Sequence, residues 1–236
     1  MIANWLAIDT ATDVASVAVA VGDRTVARAA RGARQHAAQI LPLVQEVLAL
    51  AQLPLAQLGG VVVGDGPGSF TGLRIGWAVA KGLIQEHPVP LIVIPSMMAA
   101  AHAAGGRTVA VCYDALRGQV FGAMYAFGGD EVKTIVAPDL FTIATLRGHT
   151  RRRPDLAVGD GAERYRDEVV AWTGRPPVGI AALSPLAASL LTLLAYGGTR
   201  RPIEDPRVVE PEYGRPAEAQ VKWEKSHGRP LPNPPR

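Results

Sequence analysis

The chain has 236 residues, 48% hydrophobic and 19% charged, with a formal net charge of +3. That is enough apolar material for one large or two small packed domains, and a composition that excludes a mostly disordered chain. The single cysteine, Cys112, excludes an internal disulfide; the start MIANWLAID has no basic region leading into a long apolar segment, and the longest helix-like apolar run, 186–196, is too short to span a bilayer, so a soluble cytoplasmic protein is expected.

In chain order, residues 5–8, 14–21 and 25–30 read as three short strands joined by tight turns, an antiparallel meander with Gly22-Asp23 at its second turn. From 36 to 51 apolar residues recur at Ile40, Leu41, Val44, Val47, Leu48 and Ala51, a helical period that contains Pro42 and is stopped by Leu53-Pro54. Buried strands follow at 61–63 and 91–94, with a helix at 71–86 between them, and Ser96 is placed to cap a short alanine-rich helix through 104. The pattern then restarts. Strands at 109–113, 120–127, 131–136 and 156–158 precede a helix at 162–172 and a last helix opened by Ser184-Pro185, with serine as N-cap, and closed by Gly197. The order βββ-αβ-αβ-α, then a less regular βββ-(α)-β-α-α, predicts two related α/β lobes, 1–104 and 105–216. The remainder, 217–236, is proline-rich and expected to be extended or disordered.

Residues 64–83 read GDGPGSFTGLRIGWAVAKGL. A buried strand entering a glycine-rich turn and then a helix is a common way to grip phosphate. This turn lacks the lysine of a P-loop, its Gly72 comes one residue late for the dinucleotide fingerprint, and Pro67 has no N–H to offer an anion. Gly66, Pro67, Gly68 and Ser69 therefore read as a structural turn, with Ser69 or Thr71 capping the helix. Along that helix Gly72, Gly76 and Ala80 make a stripe at i, i+4, i+8. Each interior glycine costs about 1 kcal/mol relative to alanine, so another backbone must approach closely in compensation. It belongs either to the protein's own core or to a partner's helix, and the sequence leaves both open.

Asp9 ends the first strand and is followed by Thr10-Ala11-Thr12. Sugar-kinase and actin-like ATPases hold magnesium and phosphate at such a carboxylate, but their loop glycine is here Ala11 or Thr12, and a turn-capping aspartate is the plainer reading. Cys112 lies in an apolar run and reads as a small buried hydrophobe. The five histidines include no pair with metal-ligand spacing, and Ser69 is not in a G-x-S-x-G elbow. For the basic cluster Arg151-Arg152-Arg153, a solvated loop is the plainer reading and an RNA contact the alternative.

On these residues the chain resembles the TsaB (YeaZ) family, a bacterial subunit of the machinery that makes threonylcarbamoyladenosine on tRNA. The match is carried by Leu6-Ala7-Ile8-Asp9-Thr10-Ala11-Thr12, by Gln35-His36 with Leu41-Pro42, by Gly66-Pro67-Gly68-Ser69-Phe70-Thr71-Gly72-Leu73-Arg74-Ile75-Gly76, and by Glu210-Pro211-Glu212-Tyr213 with Arg215-Pro216. The chain departs from the pattern at Asp114-Ala115-Leu116-Arg117, where Leu116 interrupts an aspartate-alanine-arginine turn, and at Gly214, where leucine is usual.

The resemblance implies a two-lobed α/β actin-like fold of the sugar-kinase/Hsp70 (ASKHA) type, a βββαβαβα unit repeated with a degenerate second copy. It implies a scaffold without catalysis of its own, which binds the catalytic subunit TsaD, with the ATPase TsaE, for transfer of threonylcarbamoyl to adenosine of tRNA. It further implies a homodimer when alone, tRNA met indirectly through the complex, and no tightly bound cofactor, with ATP or ADP only at the complex interface. Asp9, Thr10 and Thr12 would be a vestigial nucleotide site. Aligned with the metal motif of TsaD, Met98 replaces the first histidine and only His102 remains, so no metal is expected. Helices 36–51 and 71–86 would meet the partner, with Ile40, Leu43, Val44, Val47, Gly72, Ile75, Gly76, Val79, Ala80 and Leu83 as candidate contacts. On that view Gly76→Leu abolishes pairing and spares the fold. The rivals are an ATP-dependent phosphotransferase of the same fold, which Asp9 favours, and a peptidase, for which the chain offers neither a metal pair nor a nucleophile with its base.

Overall fold

Residues 4–32, 36–215, 223 and 226–229 are described in a computed structural model. The first sheet begins as an antiparallel meander of β1 (Trp5–Asp9), β2 (Val14–Val21) and β3 (Arg24–Arg31), in which Asp9 lies opposite Ser16 and Val21 opposite Arg24. Helix α1 (His36–Ala51) leads to β4 (Gly60–Asp65), and α2 (Phe70–Glu86) leads to β5 (Leu91–Pro95). β4 pairs in parallel with β1, and β5 with β4. A two-residue strand far along the chain, Arg201–Pro202, closes the far edge antiparallel to β5.

Side chains alternate across this sheet as a strand's period of two requires. Leu6, Ile8, Val61 and Val63 face α1 and α2, whereas Ala7 and Val62 face the opposite layer. Both faces are covered, which is why β1 and β4 read as unbroken apolar runs.

The second sheet repeats the plan. β6 (Thr108–Asp114), β7 (Val120–Gly128) and β8 (Glu131–Phe141) form the meander, and β9 (Leu156–Val158) adds in parallel to β6. One face, with Ala110 and Cys112, lies under α4 (Ile143–Gly148), α5 (Asp160–Arg164) and α6 (Arg166–Thr173). The other, with Val109, Val111 and Tyr113, joins the core that also holds Ala7 and Val62. The shared layer is α3 (Ser96–Ala103) with the late helix Leu186–Leu193, and its small buried residues Ala99, Ala100, Ala101 and Ala187 allow close packing. A short α7 (Ile180–Leu183) precedes that late helix, α8, and Arg201–Pro202 is β10.

Several local expectations are corrected. Ser96 is the first residue of α3 and not its cap, and among the described residues its hydroxyl has no hydrogen-bond partner of ordinary geometry. Ser184 does not cap α8 either. The Ala187 N–H is instead taken by Ser16 Oγ of β2, 3.0 Å away, so a residue of the first sheet supplies the partner. α8 stops at Leu193, short of Gly197: the Gly197 N–H donates to the Asp130 carbonyl at 3.1 Å, and Thr199 Oγ1 donates to the Leu193 carbonyl at 2.6 Å. The helix read at 162–172 divides at Tyr165. α4 is unanticipated. It is started by a reciprocal cap between Thr142 and Thr145, with threonine standing where glutamate or glutamine is usual.

The boundary read at 104/105 falls in the turn between α3 and β6. Segment 105–216 divides between the two sheets, since α8 and β10 return to the first. Of 217–236, only Trp223 and residues 226–229 are described. Trp223, Ser226 and His227 are helical, with the His227 ring stacked on Trp223 at 4.2 Å. The rest of that segment, with Gln35 and Pro216, lies outside the described residues.

Candidate functional site

Parallel pairing of β1 and β4 leaves Asp9 and Asp65 at neighbouring strand ends, with the glycine turn above them. Ser69 caps α2, its Oγ accepting from the Gly72 N–H at 3.2 Å. The turn is stitched to the loop after β1. Ser69 N–H donates to the Ala11 carbonyl at 2.7 Å, and Thr10 Oγ1 donates to the Gly72 carbonyl at 2.7 Å. A Cβ at Gly68 would overlap the Ala11 carbonyl, one at Gly72 the Thr10 carbonyl, and one at Gly76 the Thr10 hydroxyl. The backbone that the small-residue stripe accommodates is therefore the chain's own.

The C-terminal segment closes the turn from the other side. Asp65 Oδ1 accepts from the N–H groups of Gly66 (3.0 Å) and Glu212 (2.9 Å), and Oδ2 from Arg201 (2.7 Å). Burial still holds the Asp65 pKa above its usual value. Tyr213 packs on Phe70 with ring centroids 4.5 Å apart, and Arg74 Nε donates to its hydroxyl at 3.2 Å. Gly214 has a φ of +73° and lies against Pro67 and Phe121, so the leucine usual here would be both strained and obstructed. Arg215 reaches the second sheet, where it donates to the Ala115 carbonyl at 2.5 Å and lies over the Phe121 ring. In the departing turn, Leu116 and Arg117 both have positive φ, and the Leu116 side chain is exposed.

Asp9 is fully buried. Its Oδ1 accepts from Ala11 N–H only at 3.4 Å, and Oδ2 has no partner among the described residues. Burial raises its pKa to about 6. Ser96 Oγ beside it tempers the shift without a hydrogen bond of ordinary geometry. Thr10 and Thr12 are buried too, with Thr10 shut in by Gly72 and Gly76. Cys112 is buried under the second sheet, where desolvation pushes its thiol to about 12, away from nucleophilic character. His102 sits edge-on to Phe127 and Tyr196, and burial lowers its pKa. Among the described residues, no three His, Cys, Asp or Glu side chains converge as metal ligands would.

The predicted partner contacts separate into two groups. Ile40, Leu43, Val44, Val47, Gly72, Gly76 and Ala80 are buried within the chain and are not available to a partner; the four from α1 and Ala80 lie in the core beneath the first sheet. Ile75, Val79 and Leu83 are half-buried at the rim of that core. The large apolar side chains that α1 and α2 expose are Leu41, Leu50 and Phe70, with Leu41 at 51%. Leu41 and Phe70 were not among the candidates. The signal was present for Leu41, which lies off the stripe of Ile40, Val44 and Val47 on its helix.

A family model described as TsaD, tRNA N6-adenosine threonylcarbamoyltransferase, matches residues 29–163. Relatives called tRNA threonylcarbamoyladenosine biosynthesis protein TsaB include one from Escherichia coli, 34% identical over 57% of this chain and 63% of that protein. Another, from Bacillus subtilis, is 28% identical over 94% of this chain and 98% of that protein. The solved structure of YeaZ from Pseudomonas aeruginosa superposes with a TM-score of 0.67 at 26% identity, over 82% of this chain and 91% of that one.

The chain belongs to the TsaB/YeaZ family. Its match spans less than two thirds of the Escherichia coli TsaB and nearly all of the Bacillus subtilis one. A further structure, of an uncharacterized protein with similarity to peptidase YeaZ from Pseudomonas aeruginosa, has a TM-score of 0.73 at 24% identity and shares the fold. The two-sheet architecture is the actin-like one that TsaB/YeaZ resemblance implies. Three of the TsaB segments, the one ending in the 9–12 loop, the glycine turn itself and 212–215, meet around that turn.

Proposed function

We propose that this TsaB-family chain is a non-catalytic scaffold subunit of a tRNA threonylcarbamoyltransferase complex. It binds TsaD, with the ATPase TsaE, for transfer of threonylcarbamoyl to adenosine of tRNA, and pairs with itself when alone. The observation that carries this reading is the uncovered apolar surface of α1 and α2. Leu41 stands exposed on α1, Phe70 is packed by Tyr213 and Arg74 on one side and exposed on the other at the start of α2, and the rim of α2 holds Ile75, Val79 and Leu83 half-buried. Exposed apolar side chains at an association surface are what this reading requires, and these are the helices that the resemblance implies build a bundle with the sister subunit.

The closed surroundings of Asp9 support a chain that does not hold nucleotide by itself, so that ATP or ADP enters only at the complex interface. No described helix is long and apolar enough to cross a membrane, and the proposed place of work is the cytoplasm. Titration with magnesium-ATP tests the nucleotide part: micromolar binding by the isolated chain would favour the phosphotransferase reading instead.

The docking surface is tested by Leu41→Glu. The substitution is on an exposed position, so thermal unfolding should stay close to wild type. Affinity for TsaD in co-elution or titration should fall about 30-fold or more, as for removal of an interface hot spot worth at least about 2 kcal/mol. Unchanged affinity would place the TsaD contact elsewhere.

A further inference from the structure

The second sheet carries a concentration of positive charge that the scaffold reading does not use. Arg151-Arg152-Arg153 follows α4, and the fold brings two more arginines to it, Arg147 from α4 and Arg175 from the turn after α6. Arg147, Arg151, Arg152 and Arg153 line a concavity of about 300 Å³ over Trp172, and Arg153 and Arg175 line the adjoining one of about 460 Å³. All five arginines are exposed. The two linings together carry five arginines and one carboxylate, Asp155.

No carboxylate forms an ion pair with any of the five among the described residues, although other surface arginines have such partners, as in Arg28–Glu46 and Arg164–Asp114. The one carboxylate in the lining, Asp155 of the second concavity, accepts from the Thr108 N–H at 2.9 Å. Five like charges set against one carboxylate repel one another, and an extended anion is what relieves them.

The segment is also pinned, unlike a freely solvated loop. Arg152 N–H donates to Thr150 Oγ1 at 3.0 Å, and Arg175 N–H to Thr173 Oγ1 at 3.1 Å. Gly174, in the left-handed region at φ +71°, lies against the Arg153 guanidinium, and any Cβ there would overlap it.

The chemistry of the face selects the anion. The basic groups lining it are guanidinium, with no lysine, and a guanidinium matches phosphate oxygens with two parallel donors. Trp172, the aromatic residue beneath it, is buried, so the face offers no exposed apolar anchor of the kind that holds a peptide. We propose that this arginine face binds the phosphate backbone of a folded RNA. Resting on the reading that the chain serves tRNA modification, that RNA is the tRNA itself, touched directly by this subunit as well as through the complex.

The test is binding of fluorescein-labelled unfractionated tRNA by the full chain, followed by anisotropy between about 50 and 200 mM KCl. Each phosphate contact contributes nearly one unit to the slope of log affinity against log salt, so changing Arg151, Arg152 and Arg153 together to Ala should lower that slope by about three. The same three positions changed to Lys should keep most of it. Circular dichroism confirms that the variants fold. An unchanged slope in the alanine variant, or no tRNA binding by the wild type, overturns the proposal. So does poly-glutamate bound as tightly as tRNA and lost in the same variant, which would assign the face to an acidic protein. Co-elution with TsaD, measured on the same proteins, reads the scaffold function separately: its loss in the wild type defeats that reading while the tRNA slope still reports on the arginines.

Discussion

Leucine at position 76 is expected to cost the protein its fold, not merely its partner. Gly76 faces Thr10, and even a single Cβ there would overlap the threonine hydroxyl that holds the Gly72 carbonyl. A leucine adds three more carbons in the same direction, into buried surroundings with Trp77 and Ala80 on the same helix. Overpacking of this kind costs about 1–3 kcal/mol, and breaking the Thr10 hydrogen bond beneath it adds about 1 kcal/mol. The total, about 2–4 kcal/mol, is a large part of the stability of an ordinary domain.

Gly82, on the same helix, is the control. A Cβ there meets nothing within 4 Å, so Gly82→Ala should stabilise by up to about 1 kcal/mol through helix propensity alone. Urea unfolding of the two variants checks both signs. A Gly76→Leu protein as stable as wild type would mean that α2 can move away from the 10–11 loop, and the stripe would again be open to a partner.

The second large effect is expected at Asp9, and it depends on pH. The folded state raises this carboxyl from an unfolded value of 3.8 to about 6, chiefly through burial. A raised folded pKa means that the native protein holds the proton more tightly than the unfolded chain. The associated stability is fully present below about pH 4 and is lost as pH rises toward 6, where the ionised form must be kept buried. Each pKa unit is worth about 1.4 kcal/mol, so the loss is about 3 kcal/mol at pH 7.

Asp9→Asn keeps the shape and removes the charge. Its amide can also donate toward Ser96 Oγ, which has no partner of ordinary geometry among the described residues. The variant should be more stable than wild type by about 2–3 kcal/mol at pH 7, with the difference closing near pH 4. Denaturant melts at the two pH values measure it. A difference that does not change with pH would show that Asp9 does not titrate in this window.

Much of the fold is legible in short stretches. The valine-rich run at 61–63 is the heart of β4, the meander at 5–31 has the expected strands, and Ser69 caps α2 as its position before Thr71 and Gly72 suggests. The Ser184 cap fails because the partner came from elsewhere. Ser184 lies next to α8 in sequence, yet Ser16 of β2 reaches the Ala187 N–H. The arginines show the same limit, for Arg151-Arg152-Arg153 is visible as a cluster whereas Arg147 and Arg175 join it only through the packing of α4 and α6.

Residue type and spacing by themselves determined where the chain extends, coils and turns, that the glycine turn cannot act as a P-loop, and which family the segments resemble. Those are properties of neighbours along the chain: backbone freedom, missing donors, apolar periodicity. Only the tertiary structure decided which face of α2 is covered, because Ile75 and Gly76 both suit a packed helix, and what separates them is where the 10–11 loop lies. That loop belongs to another strand of the sheet, and its approach is set by the β1–β4 register. The glycines at 72 and 76 are thereby assigned to the protein's own interior, and the proposed partner surface passes to Leu41, Phe70 and the rim of α2.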